Sequence, residues 1–194
     1  SGKNRYHIFD TALDKLTRSH NESLDIIGLA LAANEFELYY QPKVNMRLGN
    51  VVGAEALIRW QHPSKGLLAP AEFLPLVENH PLSVEIGEWV INTAMSQIES
   101  WYKAGLHLPI SVNISAMHLQ QDGFLDCLRH LLKIHPTVKP RDIELEVLET
   151  SAMRDLNKVS QLIADSRDIG ILFSLDDFGT GYSSLTYLKR LPIS

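Results

Sequence analysis

The run Ile143-Glu144-Leu145-Glu146-Val147-Leu148 is short, mostly apolar, and carries the carboxylate of Glu146 toward its end. Its length and composition predict a strand. The same design recurs on either side. Pro109-Ile110-Ser111-Val112 leads to Asn113, Ile171-Leu172-Phe173-Ser174-Leu175 leads to Asp176 and Asp177, and Val51-Val52-Gly53-Ala54 leads to Glu55. Continuous apolar runs suit strands buried on both faces, as in a parallel sheet under helices. A carboxylate or amide at the end of such a strand is costly unless it is paired or bound to a cation. One such residue fits an isolated, satisfied core polar group. Four strands ending this way point to a site.

Helical patterns separate the strands. Val84, Ile91, Ala94, Met95, Ile98 and Trp101 form one apolar stripe; Phe124, Leu125, Leu128, Leu131 and Leu132 form a second; Leu156, Val159, Leu162 and Ile163 form a third. Spacings of three and four place each stripe on one helix face, which reads as packing on the sheet. Leu24, Ile27 and Leu31 predict a further helix before the first strand. Glu37 to Gln41, the turn-like Asn45 to Asn50, and Val51 to Leu57 predict an antiparallel pair at the start. Alternating strands and helices make the chain α/β.

Asn113 and Glu146 lie 33 residues apart, and Glu146 and Asp176 lie 30 apart. A (β/α)8 barrel uses about 31 residues per unit. Glu55 and Asn113 are 58 apart, which reads as one unit with an inserted helix around Pro70 to Glu78. In such a barrel the C-terminal strand ends share one face, and that face holds the active site. Glu55, Asn113, Glu146 and Asp176 are therefore expected to converge. All carry oxygen, which selects Mg²⁺, Mn²⁺ or Ca²⁺ over Zn²⁺. Adjacent aspartates can serve two ions, and paired ions about 4 Å apart are a common device for phosphodiester hydrolysis.

Composition narrows the field. The chain has 194 residues, is 45% hydrophobic and 21% charged, and carries a net charge of −5, an ordinary balance for one globular domain. An acidic chain is a poor candidate for binding DNA or RNA polymers. The lone Cys127 cannot form an intramolecular disulfide, so a reducing, cytoplasmic setting is expected, with membrane tethering of a longer parent left open. Cys127 itself reads as a small buried apolar residue. The eight histidines show no metal-binding spacing, and most of them read as exposed or cap-like. Gly179-x-Gly181 lacks a third glycine at 184 and is no dinucleotide fingerprint. The opening Ser1-Gly2, without an initiator Met, resembles the remnant of a cleaved tag, and the chain reads as a fragment.

Five segments carry a family resemblance: Tyr40-Gln41-Pro42, Glu55-Ala56-Leu57-Ile58-Arg59-Trp60, Asn113-Ile114-Ser115, Glu146-Val147-Leu148-Glu149, and the run Asp176-Asp177-Phe178-Gly179-Thr180-Gly181-Tyr182-Ser183-Ser184-Leu185. In this order they resemble the EAL domain, the family of cyclic di-GMP phosphodiesterases, from about Leu24 to Ser194. The resemblance implies a distorted TIM barrel that hydrolyses cyclic di-GMP to linear pGpG with two Mg²⁺ or Mn²⁺ ions. It implies Glu55, Asn113, Glu146 and Asp176 as ligands of one metal, Asp176 shared with a second, and Asp177 on that second ion. The resemblance gives Glu55, Asp176 and Asp177 the catalytic role. Arg59 would contact a ligand phosphate; Gln41 and Leu57 would line the groove. Glu149 would support the loop from Phe178 to Ser184, which in the family couples metal binding to a dimer interface. Arg59 alone also reads as a solvated charge, and Glu149 as a plain salt-bridge partner.

Residues 1–23, with Arg5-Tyr6-His7-Ile8-Phe9-Asp10, resemble the connector from a preceding GGDEF or sensory domain, leaving 24–194 as an EAL domain incomplete at its C-terminus. Five strands are legible where a full barrel has eight. The family's later Lys-Ile-Asp-like segment, Glu-containing strand and Gln-Gly motif do not occur in these residues, so the chain alone is expected to be inactive and its parent an enzyme. Leu148 stands where the family often has Thr, and Asn79-His80-Pro81 replaces a more common acidic, glycine-containing stretch. The alternatives are a cyclic di-GMP receptor without hydrolysis and a protein-interaction domain with an inert pocket.

Overall fold

The computed structural model describes residues 11–148 and 156–176. Helix α1 (Thr11–Ala32) leads to the hairpin β1 (Phe36–Val44) and β2 (Val51–His62). A three-residue strand β3 (Gly66–Leu68) and helices α2 (Leu74–Val77) and α3 (Leu82–Lys103) come next. Then follow β4 (Ile110–Ile114), α4 (Ala116–Leu119), α5 (Phe124–Ile134), β5 (Ile143–Leu148), α6 (Leu156–Asp168) and β6 (Leu172–Asp176).

The sheet order is β1-β2-β4-β5-β6, with β3 hung on the far end of β2. The first pair is antiparallel and the remaining pairs along the path are parallel, as the sequence predicts. The long interval between Glu55 and Asn113 is indeed one unit, because β4 pairs directly with β2. It also contains β3, which is too short to register as an apolar run.

The two faces of the sheet differ in chemistry. Ala56, Ile58 and Trp60 of β2, Ile110, Val112 and Ile114 of β4, Ile143, Leu145 and Val147 of β5, and Phe173 of β6 are buried in one core. The helices supply its other half: Ile86, Val90, Ile91, Ala94, Met95 and Ile98 from α3, Phe124, Leu128 and Leu131 from α5, and Val159 and Ile163 from α6. Each such large side chain contributes about 1.5–3 kcal/mol on burial. The α3 stripe thus begins at Leu82 and Ile86, while Val84 is only half-buried. The alternate residues face the other way and form a polar face: Gln41, Lys43, Glu55, Ser111, Asn113, Glu144, Glu146, Ser174 and Asp176 share it by register. The strands are therefore two-sided, rather than uniformly apolar.

This polar face is concave. Lys43 of β1 reaches Glu146 of β5, three strands away. On a flat sheet those strands would lie about 14 Å apart, beyond a four-carbon stem. The contact exists because the sheet curls, as a barrel wall does.

An aromatic cluster pins the base of the hairpin. Phe36 lies 5.5 Å from Trp60 and 5.3 Å from Phe73 between ring centroids, and Trp60 meets Phe73 edge-on at 5.7 Å. The Trp60 indole N–H donates to Glu35 Oε2 at 2.9 Å.

Candidate active site

Parallel pairing of β2 with β4 covers only Ala54–Ala56, although β2 continues to His62. Glu55 thus sits in mid-strand, at the point where β2 leaves the parallel sheet. The five residues beyond it, Ala56 to Trp60, rise about 17 Å with β1 as their partner, so the hairpin forms a wall over the mouth.

Asn113 Nδ2 donates to Glu55 Oε1 at 2.9 Å, joining β4 to β2. Asn113 is in register with Glu146 on β5. Asp176, the last residue of β6, is in register with Leu148, two residues beyond Glu146 on the same face. The polar groups thus climb from Glu55 to Asn113 and Glu146, then to Asp176. This stagger accompanies strand tilt in a barrel. Glu146 is buried, at 8% exposure, Glu55 and Asp176 are half-buried, and Asn113 is open to solvent. Asp177, Glu149 and the loop from Phe178 to Ser184 lie outside the described residues.

Lys43 occupies the floor below these groups. Its Nζ donates to Glu146 Oε1 at 2.5 Å and to Ser111 Oγ at 2.6 Å, and lies 3.7 Å from Glu144 Oε2. Ser111 Oγ donates to the same Glu144 oxygen at 2.7 Å. Burial disfavours the Lys43 ammonium, but the hydrogen bond to Glu146 and the charges of Glu146, Glu144 and Glu55 outweigh it and raise its pKa. The ammonium is therefore the resident cation of the site.

On the wall, Gln41 pairs with Glu55 across the hairpin and is exposed. Leu57 is half-buried opposite Tyr39. Arg59 is half-buried; its guanidinium lies over the Tyr39 ring at 5.5 Å, and Nη1 donates to the Ile58 carbonyl at 2.9 Å. It is a held group, not a freely solvated charge.

Among the described residues, no three His, Cys, Asp or Glu side chains are grouped as a metal cage. The donor set itself still suits a hard cation. Glu55, Glu146 and Asp176 supply carboxylates, and Asn113 keeps an amide oxygen after its Nδ2 has been used on Glu55. Ser174 Oγ, in register with Glu146, is buried without a hydrogen-bond partner, and a cation already bonds Glu146 through Lys43.

The EAL domain pattern matches residues 25–194. The chain belongs to the EAL-domain family. It is 41% identical over 194 residues to the bifunctional diguanylate cyclase/cyclic di-GMP phosphodiesterase MucR of Pseudomonas aeruginosa, covering 100% of this chain and 28% of that protein. It is 35% identical over 187 residues to the cyclic di-GMP phosphodiesterase PA2567 of the same organism, covering 96% of this chain and 32% of that one. The chain therefore spans no more than about a third of these curated relatives. The solved MucR phosphodiesterase in complex with c-di-GMP matches with a TM-score of 0.84 at 43% identity, covering 89% of this chain and 70% of that one. The barrel-like architecture expected of an EAL domain is thus present, and the family's triplet is Glu55-Ala56-Leu57.

Several residues depart from their sequence reading. Lys43, Ser111, Glu144 and Tyr39 belong to the EAL-domain face, yet none is singled out by motif. Period-two alternation from Gln41 and Glu55 places Lys43 and Tyr39 on this face, but not the reach of Lys43. Most of the described histidines are exposed or half-buried, in line with the sequence reading; His118 and His135 are the buried exceptions among the described residues. Cys127 is half-buried, and burial, with Glu88 nearby, pushes its thiol up to about 11, so it stays protonated. No described helix is long and apolar enough to cross a membrane.

Proposed function

We propose that this EAL domain belongs to a phosphodiesterase that hydrolyses cyclic di-GMP to linear pGpG with Mg²⁺ or Mn²⁺. The observation that carries the reading is the staggered oxygen set Glu55, Asn113, Glu146 and Asp176 on the concave face. The family match and the cyclic di-GMP phosphodiesterase activities of MucR and PA2567 support it. Glu55, Asn113, Glu146 and Asp176 would hold one ion, with Asp176 and Asp177 serving a second. Divalent ions at such a site supply a more acidic water and neutralise charge on the attacking and leaving oxygens.

The chain's own residues do the remaining work. Arg59, braced by Tyr39, presents further N–H donors to a phosphate. Gln41 and Leu57 line the groove beside it. The Asn113 amide fixes the Glu55 carboxylate. The chain spans no more than about a third of these relatives, so we assign turnover to the whole protein that carries this domain. A preceding GGDEF or sensory domain, a homodimer through the EAL domain and a cytoplasmic location complete the reading. The bifunctional name of MucR supports the first of these.

The test is turnover of cyclic di-GMP by the full-length protein with Mn²⁺, with pGpG followed by chromatography. Glu55→Ala is expected to abolish most of it, and unchanged turnover removes Glu55 from the site. The receptor reading has one observation in its favour, the cation already seated on Glu146. Binding of cyclic di-GMP without hydrolysis in the full-length protein establishes that reading instead.

A further inference from the structure

We propose that Lys43 is a built-in counter-ion of the site: its ammonium holds the metal-free carboxylates together and weakens their affinity for divalent cations. The inference rests on the metal-binding reading above and goes beyond it. Lys43 comes from β1, the antiparallel strand, and enters the barrel interior from below. Its partner across the hairpin is Gly53. At its tip it contacts Glu146 at 2.5 Å, Ser111 at 2.6 Å and Glu144 at 3.7 Å.

Without this cation, Glu144 and Glu146 would stand two residues apart on one strand face with no counter-charge. Neighbouring carboxylates in a partly desolvated site repel one another. With the cation present, an incoming divalent ion meets a positive charge already bonded to Glu146. It must share or displace that hydrogen bond and overcome repulsion from the ammonium. Lys43 is therefore a positioning residue, acting through Glu146.

Lys43→Met keeps the stem and removes the charge; Lys43→Gln keeps a hydrogen-bond donor without the charge; Lys43→Arg restores the charge. In the full-length protein, free Mn²⁺ is followed by electron paramagnetic resonance, and thermal unfolding is followed with and without Mn²⁺. K43M and K43Q are expected to bind Mn²⁺ at least tenfold more tightly than the unmodified protein. They are also expected to melt at lower temperature without metal and to recover more of that loss when Mn²⁺ is added. K43R is expected to stay close to the unmodified protein in both. Equal or weaker Mn²⁺ binding by K43M and K43Q overturns the inference. Should K43M fail to fold without metal, K43Q decides alone. Glu55→Gln and Asn113→Ala separate the two levels. If neither weakens Mn²⁺ binding, the metal-site reading falls first. If they weaken it while the Lys43 variants leave it unchanged, only the counter-ion inference falls.

Discussion

The Asn113 side-chain amide donates to Glu55 across neighbouring strands, linking residues 58 positions apart in the chain. The bond consumes an N–H of Asn113 and leaves its carbonyl oxygen available as a donor to a cation. Asn113 is exposed, so its loss touches little of the core. Asn113→Ala is expected to shift unfolding free energy by no more than about 1 kcal/mol. It is expected to lower kcat/KM for cyclic di-GMP at least about 100-fold through metal affinity. Parallel urea unfolding and steady-state kinetics on the full-length protein check both halves. A loss of stability that matches the loss of activity would make Asn113 a purely structural residue.

Arg59 predicts a different kinetic signature. Its planar guanidinium lies over Tyr39 and is tied to the Ile58 carbonyl. Lysine at this position keeps a positive charge but loses the flat fork that both stacks and binds a phosphate through two parallel bonds. Arg59→Lys should raise KM about tenfold, corresponding to roughly 1.4 kcal/mol, with little change in Mn²⁺ affinity. A fall in kcat at constant KM would place Arg59 in the transition state and not in ground-state binding.

The elements that were legible in the sequence share one property: their signal is local. Strands β4, β5 and β6 show apolar runs with a polar residue at a fixed place, and the intervals of 33 and 30 residues set the barrel period. Lys43 is different. In sequence it lies near the end of an exposed hairpin strand, and its meaning depends on the curl of four strands that bring β5 within reach. Glu55 was recognisable as a candidate residue, but its mid-strand position was not. β2 leaves the parallel sheet after Ala56, while β4, a partner far along the chain, runs on to Ile114 paired with β5 alone. His118 sits on a four-residue helix, too short to show a periodic face. Its burial comes from α3 and Phe124 packing over it.

Gly87 on α3 is where that packing is tightest. A Cβ added there would lie 2.2 Å from His118 Nδ1 and 2.9 Å from Cε1. Two effects oppose each other in Gly87→Ala. Helix propensity favours alanine by about 1 kcal/mol, whereas overpacking of a filled core costs about 1–3 kcal/mol. The ring is 1% exposed and packs edge-on against Phe124, so the clash is expected to prevail, with net destabilisation of about 1–2 kcal/mol. The double variant Gly87→Ala/His118→Ala should be more stable than the sum of the two single effects, because the alanine then fills space the ring vacated. Additive effects in urea unfolding would show that the two positions do not touch.

His118 also sets an acid limit on stability. Its side chain is 1% exposed, both ring nitrogens lack hydrogen-bond partners among the described residues, and burial pushes its pKa down to about 4 from the ordinary 6.5. Below pH 6.5 the unfolded chain takes up a proton that the folded chain still refuses, so stability falls as the pH drops. The fall ends near pH 4, where the folded form is protonated too. Across that window the contribution amounts to at most about 3 kcal/mol, at 1.36 kcal/mol per pH unit. His118→Leu removes the titrating ring while keeping an apolar group of related size in the core. Unfolding free energies of this variant and the unmodified protein, measured from pH 7 to pH 4, should therefore converge in slope above pH 6.5 and diverge below it, the variant losing less. Parallel curves throughout would mean that His118 is not the group whose protonation opens the fold in acid.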